Sequence, residues 1–351
     1  MTDVAFADTK SRPDAPQIMA DDLKQNVKRI AAHCAKYRGA IPKTAYTQVG
    51  VTLVLFLVTI AAMFETVRHA YWVTLLLSFL AAGLVIRLFI IQHDCGHGSF
   101  LKTPQENNFI GRLMSVFTIT PYGVWRRQHA IHHATSGNLD KRGVGDITTL
   151  TVKEYRALSP LMKFGYRIYR NPIFLFGIAV PFFFMFIQRQ PFAQGLTVKD
   201  SFKSIMGLNI AMLVFYGSLV AIFGWSDVLF VFWPILHLAT AMGGWLFFIQ
   251  HQFEESHWEE TKEWDFQIAA VYGSSYYVLH PVLAWFSGDI GLHHIHHLNS
   301  MIPNYRLSEC LNADPALKSI NRITLKDSFT CAGFKLWDQD KHQMVSFKDL
   351  D

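Results

Sequence analysis

The sequence has little charge and little cysteine. Only 17% of its 351 residues are Asp, Glu, Lys or Arg, against about 25% in an average soluble domain. Its four cysteines form no CxxC pair, so neither a disulfide framework nor a zinc knuckle is predicted. The sequence also lacks GxGxxG and P-loop motifs and any basic patch typical of nucleic-acid binding. We therefore expect no nucleic-acid partner, and any electrons from NAD(P)H would have to arrive through another protein.

Long apolar runs stand where charge is missing. The sequence is 51% hydrophobic and 14% aromatic, and a spanning helix needs about 20 mostly apolar residues. Four stretches reach that length and pair through short connections into two helical hairpins: about 48–67 with 70–92, and about 206–223 with 228–250. A fifth stretch, 173–187, is shorter and contains Pro181, so we predict a re-entrant or interfacial element there. The expected fold is an all-α integral membrane protein with four transmembrane helices.

Histidines are concentrated in three short windows. Nine of the 16 histidines lie in 93–97, 129–133 and 293–297, where an even scatter would put roughly 0.7. Spacings of three and four residues place imidazoles on one face of a helix, and imidazole is the commonest metal ligand near neutral pH. One ion rarely takes eight imidazoles, so the windows indicate a pair of metal ions.

Ligands of one metal pair must lie on one side of the membrane, which restricts the topology. The first window follows the second span and the third window follows the last span, so an even number of crossings separates them. The lysines and arginines concentrated in 93–170 favour the cytoplasmic side. We therefore expect a cytoplasmic N-terminal segment (1–45), a membrane domain (46–310), a cytoplasmic C-terminal segment (311–351), and a cytoplasmic helical cap that carries the metal site.

Nine histidines are the predicted metal ligands. Zinc sites take four ligands, often with cysteine, whereas imidazole-rich sites suit iron or copper. Of these two metals we expect iron, as a pair of ions. Asp94, Asp146 and Asp289 lie close enough in sequence to accept ring N–H groups and orient the ligands. His294 points off the shared face of its window and is expected beside the ligands or at the surface. The ligand set comprises His93, His97, His129, His132, His133, His293, His296 and His297, with His251 at the end of the last span as the ninth.

The order HxxxH, HxxHH, HxxHH resembles the membrane-bound fatty acid desaturase family. The local sequence is similar to that of the family's acyl-lipid Δ12 branch in three segments: His93-Asp94-Cys95-Gly96-His97, Trp125-Arg126-Arg127-Gln128-His129 and Ile302-Pro303-Asn304-Tyr305. The resemblance covers about residues 45–310. It implies a di-iron site that activates O2 and introduces a cis double bond into a fatty acyl chain, at the Δ12 (omega-6) position of a monounsaturated acyl lipid. His251 matches the family's additional histidine after the last span.

The resemblance also implies partners and leaves alternatives. The acyl chain would be linked to a lipid, CoA or acyl carrier protein, the electrons would come from an external donor such as ferredoxin or a cytochrome, and membrane lipids would surround the spans. Relatives with the same histidine plan hydroxylate alkyl, carotenoid or sphingolipid substrates, so a di-iron hydroxylase is the alternative enzyme. A metal-ion transporter or sensor is the non-enzymatic alternative, but it would need polar residues along the spans, which carry little beyond Arg87 and His237.

Overall fold

The structure, a computed structural model, describes residues 15–191 and 196–350. Most of the described chain is helical. The helices are α1 (Ala15–Cys34), α2 (Pro42–Thr66), α3 (Tyr71–His97), α4 (Pro104–Thr118), α5 (Tyr122–Thr135), α6 (Val152–Ala157), α7 (Pro160–Tyr169), α8 (Pro172–Phe174), α9 (Val180–Met185), α10 (Val198–Phe223), α11 (Trp225–His251), α12 (Phe266–Tyr272), α13 (Pro281–Phe286), α14 (His293–Leu298), α15 (Asn304–Ala313) and α16 (Leu325–Cys331). A π-helical segment, Leu175–Ala179, joins α8 to α9, and single 3-10 turns lie at Ala35–Tyr37, Leu139–Lys141, Ile187–Arg189, Pro315–Lys318 and Phe347–Leu350.

The described residues are mostly helical, as the all-α prediction requires, but they also include five short strands that were not predicted. They are β1 (Leu150–Thr151), β2 (Tyr276–Val278), β3 (Arg322–Thr324), β4 (Leu336–Asp338) and β5 (Gln343–Val345). The first sheet has the order β1-β4-β5, with β1 parallel and β5 antiparallel to β4. The second sheet pairs β2 with β3 in parallel. The parallel pairs join segments distant in sequence, and strands this short carry no readable alternation.

Two helical hairpins form the apolar body, as predicted. α2 begins with Pro42 in its first turn, where a missing N–H costs nothing, and it packs along α3 for most of its length. α10 and α11 form the second hairpin. At the turns of the two hairpins, Arg68 donates a hydrogen bond to Asp227 (2.6 Å) and another to the carbonyl of Phe223 (3.1 Å). Because these contacts lie at the opposite end of α3 from His97, the two turns define the far end of the bundle.

Within the described ranges, five helices are long and apolar enough to cross a membrane: Pro42–Thr66, Tyr71–His97, Pro172–Arg189, Val198–Phe223 and Trp225–His251. The third of these is only 18 residues long and is irregular. Pro181 has no N–H to donate and its ring would press on the carbonyl four residues earlier, and the helix widens to a π-helical turn just before it.

The irregular helix 172–189 begins at the same end of the bundle as the metal-ligand windows. It follows Arg170, which contacts Gln252 at the end of α11. Phe176 packs against Trp245 and Phe248 of α11. At its other end, Arg189 donates a hydrogen bond to Asn209 (2.8 Å), about three turns into α10.

The remaining elements cover the end of the bundle opposite the hairpin turns. α1, α12, α14 and α15 enclose a second apolar core. Ile295 and Leu307 are completely buried in it, and Val27 and Ile30 of α1 supply its outer wall. An ion pair between Arg29 and Asp314 (2.6 Å) fastens α1 to this layer. The short helix α14, which carries the third histidine window, is thereby held between the membrane helices and a covering layer.

Candidate metal centre

The first histidine window forms the last turn of α3. His93 and His97 are four residues apart and so share one face of the helix. Gly98 ends the helix in the left-handed conformation at φ 75°, where glycine is strongly favoured. Gly96 is required by packing, because a Cβ atom there would lie 2.8 Å from the ring of Trp125. The window is therefore placed by a helix end and by a close contact with α5.

The second window lies on α5 and is divided between two directions. His129 and His133 are one turn apart and share a face, while His132 points about 100° away from His133. Trp125, one turn earlier, stacks on His129 with ring centroids 4.6 Å apart. Two adjacent residues, His132 and His133, can therefore serve different metal ions.

The third window forms α14, and its histidines also point in two directions. His293 and His297 share a face, and His296 points away from them. His251 enters beside them as the last residue of α11. All four of these rings are buried.

Nine imidazoles meet as two clusters. Each supplies one ring nitrogen, and within a cluster these nitrogens lie within 4.8 Å of one another. The rings of His133 and His297, one from each cluster, stack with centroids 4.1 Å apart, so the clusters are adjacent. The five-histidine cluster consists of His93, His97, His129, His133 and His296, and the four-histidine cluster consists of His132, His251, His293 and His297. These are the nine residues predicted as ligands.

The spacing of the ring nitrogens fits two metal ions. In the five-histidine cluster, Nε2 of His129 lies 3.1 Å from Nε2 of both His97 and His133. In the four-histidine cluster, Nε2 of His251 lies 3.2 Å from that of His132 and 3.0 Å from that of His293. An imidazole nitrogen binds a metal at about 2.1 Å, which puts neighbouring ligands at right angles about 3.0 Å apart.

A further observation supports metal binding. Nε2 of His297 is buried with no hydrogen-bond partner, and such orphaned polar atoms need an explanation. A metal ion between the rings supplies one. Among the described residues, neither cluster includes a thiolate or a carboxylate, which is a donor set suited to iron, copper, nickel or zinc rather than to calcium or magnesium.

Five of the nine rings are held in the neutral form that binds a metal. Burial, together with the neighbouring imidazoles, lowers the pKa values of His129 and His133 well below the usual range. The same causes lower the pKa values of His293, His296 and His297. A neutral imidazole has a free lone pair for a metal, whereas an imidazolium has none.

Two of the three predicted orienting carboxylates contact a ligand ring. The Nδ1–H of His93 donates to Asp94 (2.9 Å), and the Nδ1–H of His132 donates to Asp146. Each contact fixes a ring so that its Nε2 faces a cluster. The carboxylate of Asp289 instead accepts a hydrogen bond from Ser308, and burial raises its pKa. The structure thus brings Asp94 and Asp146, but not Asp289, to a ligand ring.

Three contact partners near the centre were not singled out from the sequence: Asn304, Arg170 and the backbone carbonyl of Gly273. Asn304 donates its backbone N–H and its side-chain N–H to Asp94. Arg170 is buried and donates to Gln252, the residue after His251. The Nδ1–H of His251 donates to the carbonyl of Gly273 (3.2 Å). Only Asn304 had a signal in the sequence, because it stands in the motif that follows the third window.

His294 lies beside the ligands rather than at the surface. Its ring is 1% exposed, and its Nε2 faces the carbonyl of Leu317 at 3.1 Å. This contact fastens α14 to the covering layer. The neighbouring cluster residues His293 and His297 therefore lie on a helix that is anchored from its other face.

Two adjacent imidazole clusters, each able to hold a metal ion, at one end of long apolar helices, suit redox chemistry on an apolar substrate. The comparisons with known proteins agree. The family model for fatty acid desaturases matches residues 69–319. A fatty acid desaturase of Bacillus subtilis is 40% identical over 334 residues, covering 95% of this chain and 93% of that protein.

More distant relatives carry more specific names. An sn-1 acyl-lipid omega-3 desaturase (ferredoxin) of Synechocystis is 30% identical over 253 residues, covering 64% of this chain and 63% of that protein. An sn-1 oleoyl-lipid 12-desaturase of Synechocystis is 24% identical over 301 residues, covering 85% of this chain and 82% of that protein. With its family match, its near relative and its paired histidine clusters, this chain belongs to the fatty acid desaturase family and is an oxidoreductase.

Proposed function

We propose that the protein is an O2-dependent desaturase that introduces a cis double bond into the acyl chain of a membrane lipid, with one iron ion in each histidine cluster. The observation that carries the proposal is the meeting of nine imidazole nitrogens in two adjacent sets at one end of the membrane helices. The overall reaction balances as R–CH2–CH2–R′ + O2 + 2e⁻ + 2H⁺ → R–CH=CH–R′ + 2H2O. The bound irons would supply the reductive activation of O2 and the removal of the two hydrogens.

The protein's own residues provide an apolar approach to the five-histidine cluster. Trp125 covers His129, and Phe89 packs edge-on against Trp125 with centroids 5.3 Å apart. Phe184, of the irregular helix 172–189, continues this aromatic wall from Phe89. Such a wall would hold an acyl chain in place and keep water away from the reacting carbons, so that the geometry of the chain decides which bond is oxidised.

Several contacts support four membrane spans with the helix 172–189 as a re-entrant element. The segment starts beside Arg170 and Gln252, at the ligand end of α11. At its far end, Arg189 contacts Asn209, which lies about three turns inside α10. The first turns of α10 lie back at the ligand end, where Ser204 accepts a hydrogen bond from the backbone N–H of Gly123 (3.1 Å). A segment that enters and leaves at one end keeps an even number of crossings between α3 and the end of α11.

The basic residues between 93 and 170 favour a cytoplasmic location for the ligand end and for both termini. Fusions of a reporter to residue 69 and to residue 351 test this arrangement. The proposal requires opposite sides for the two positions, with residue 351 inside. Reporters that place both positions on the same side of the membrane would contradict it.

The proposed double-bond position and electron donor are based on the local sequence around the histidine windows and on the names of relatives. The Δ12 position is the hypothesis drawn from the residues around the histidine windows. Relatives named omega-3 desaturases match at higher identity than the relative named a 12-desaturase, so the omega-3 position is the second candidate. Ferredoxin in the name of a relative supports a small iron–sulfur protein as the electron donor.

Expression in a host that makes oleoyl lipids but no polyunsaturated lipids tests the function. Gas chromatography of the fatty esters should show a new diene with its second double bond at the twelfth carbon, and about two irons per chain should accompany the purified protein. The variant His296→Ala is the inactive control. Oxygenated esters without an alkene would favour the hydroxylase alternative, and a single zinc or copper ion without iron would favour a metal transporter or sensor.

A further inference from the structure

A buried hydrogen-bond chain leads from the first membrane helix to a metal ligand. Gln48 of α2 donates its side-chain N–H to Oδ1 of Asn304 (3.0 Å). Asn304 donates its side-chain N–H to Oδ2 of Asp94 (2.8 Å), and the other oxygen of Asp94 accepts from His93 (2.9 Å). All four residues are at most 6% exposed. The chain ends at a ring whose Nε2 belongs to the five-histidine cluster.

We propose that Asn304 is a positioning residue, which orients Asp94 and through it the metal ligand His93, and that Gln48 fixes the amide of Asn304 in the direction this requires. The proposal rests on the proposed function, because it assumes that the five-histidine cluster holds iron.

The two functional groups of the Asn304 side chain have different tasks. Its oxygen can only accept and its NH2 group can only donate. Since Gln48 donates to the oxygen, the NH2 group must face Asp94. The backbone N–H of Asn304, at the first residue of α15, donates to the same carboxylate oxygen at 2.6 Å. Asp94 therefore receives donors on both oxygens, which leaves it one orientation toward His93.

The sequence positions of these residues explain why this series of hydrogen bonds matters for the assembly of the metal centre. Gln48 lies in the first hairpin, Asp94 in the first histidine window, and Asn304 seven residues after the third window. The link therefore joins α15, the helix that follows α14 in the sequence, to the helix that carries His93. It fixes the relative position of histidines that come from opposite ends of the chain.

Three variants test the proposal. Asn304→Ala removes one donor to Asp94 but keeps the backbone N–H, so the affinity of the five-histidine cluster for metal should fall about tenfold, at the lower end of what the loss of an orienting partner costs. Asn304→Asp places a second carboxylate against Asp94, and the affinity should fall about 100-fold. Gln48→Leu removes only the contact that orients the amide. It should therefore lower the metal affinity of the same five-histidine cluster, but by less than Asn304→Ala does.

Asn107→Ala is the matched control. Asn107 is equally buried, and it makes three hydrogen bonds to the backbone at residues 101 and 103 rather than to a ligand partner. Its loss should lower the melting temperature to a similar extent as Asn304→Ala and leave the metal centre unchanged.

The experiment uses the full chain in lipid nanodiscs, stripped of metal and titrated with Fe(II) without oxygen. Metal analysis gives the stoichiometry, and Mössbauer spectroscopy distinguishes the two iron sites. We expect two iron signals in the natural protein and in Asn107→Ala, and an altered or depleted signal from one site in the Asn304 and Gln48 variants. Unchanged affinity and spectra in Asn304→Ala and Asn304→Asp would overturn the positioning role. A natural protein that binds no iron pair would instead overturn the proposed function.

Discussion

The replacement Arg170→Met offers a strong test of how the region around the four-histidine cluster is held together. The Arg170 side chain is 1% exposed and donates four hydrogen bonds. They reach Gln252 (2.8 Å), the carbonyl of Thr148 (3.1 Å), the hydroxyl of Thr149 (3.1 Å) and the carbonyl of Phe334 (3.1 Å). The side chain thus joins the loop after Asp146, the end of α11 and the C-terminal sheet region.

The size of the effect follows from these contacts. Each hydrogen bond from a charged donor contributes about 1.5–3 kcal/mol, and this gain is offset in part by the desolvation of the buried guanidinium, which costs several kcal/mol. The difference between these two contributions gives an expected net loss for Arg170→Met of about 3–5 kcal/mol. An unfolding entropy of about 2.1 cal/mol/K per residue corresponds to about 1.4 °C per kcal/mol for a chain of 351 residues. The melting temperature should therefore fall by roughly 4–7 °C.

The control is Arg142→Met. Arg142 contacts the same loop through the carbonyl of Thr149 (2.9 Å), but its ion pair with Glu154 is partly exposed, and such pairs contribute at most about 1 kcal/mol. All four cysteines are buried and free, so a thiol-reactive fluorophore reports unfolding during a heating scan. A fall in Arg170→Met no larger than that in Arg142→Met would refute the reasoning.

Three further predictions concern the metal centre and the pH dependence of stability. His132→Ala and His296→Ala each remove one ligand from a different cluster, so both should abolish turnover while the protein stays in the membrane fraction; desaturated product from either variant would contradict ligation by that ring. Asp146→Asn should weaken metal binding about 10–100-fold in a chelator competition, whereas Asp289→Asn should leave it unchanged, and equal effects would contradict the assignment. Burial lowers the pKa of Lys335 to about 8, so its charge destabilises the fold below that pH and the cost disappears as the pH rises from 8 toward 10.5. The half-buried side chain reduces the effect to about 1–2 kcal/mol, and the melting temperature of Lys335→Met relative to the natural protein should therefore be higher at pH 7.5 than at pH 9.5; a constant difference would contradict the shift.

The sequence was most informative where local spacing alone determines geometry. The apolar lengths predicted both hairpins, and the spacing of four residues in His93 and His97 predicted a shared helix face. The division of each later window between two clusters was not predicted. His132 and His133 are neighbours in sequence, and only the tertiary position of α5 decides which of them faces His251.

Other features depended on contacts between distant parts of the chain. The pairing of β2 with β3 joins segments about 45 residues apart, and such short strands have no periodic signal. Asp289 was grouped with Asp94 and Asp146 because it precedes the third window closely. Its carboxylate contacts Ser308 instead, and sequence distance does not determine the direction of a side chain in a turn.

The exchange of histidines between windows has a consequence for biogenesis. Each ion position draws on the first half of the chain and on residues 293–297, so neither set of ligands is complete until the ribosome has synthesised nearly the whole protein. A nascent chain that ends after the last membrane helix would offer only four nitrogens to one ion and two to the other. Under the proposed function, iron loading should consequently come late, after both hairpins are in the bilayer, and a cell short of iron should accumulate inserted but empty protein.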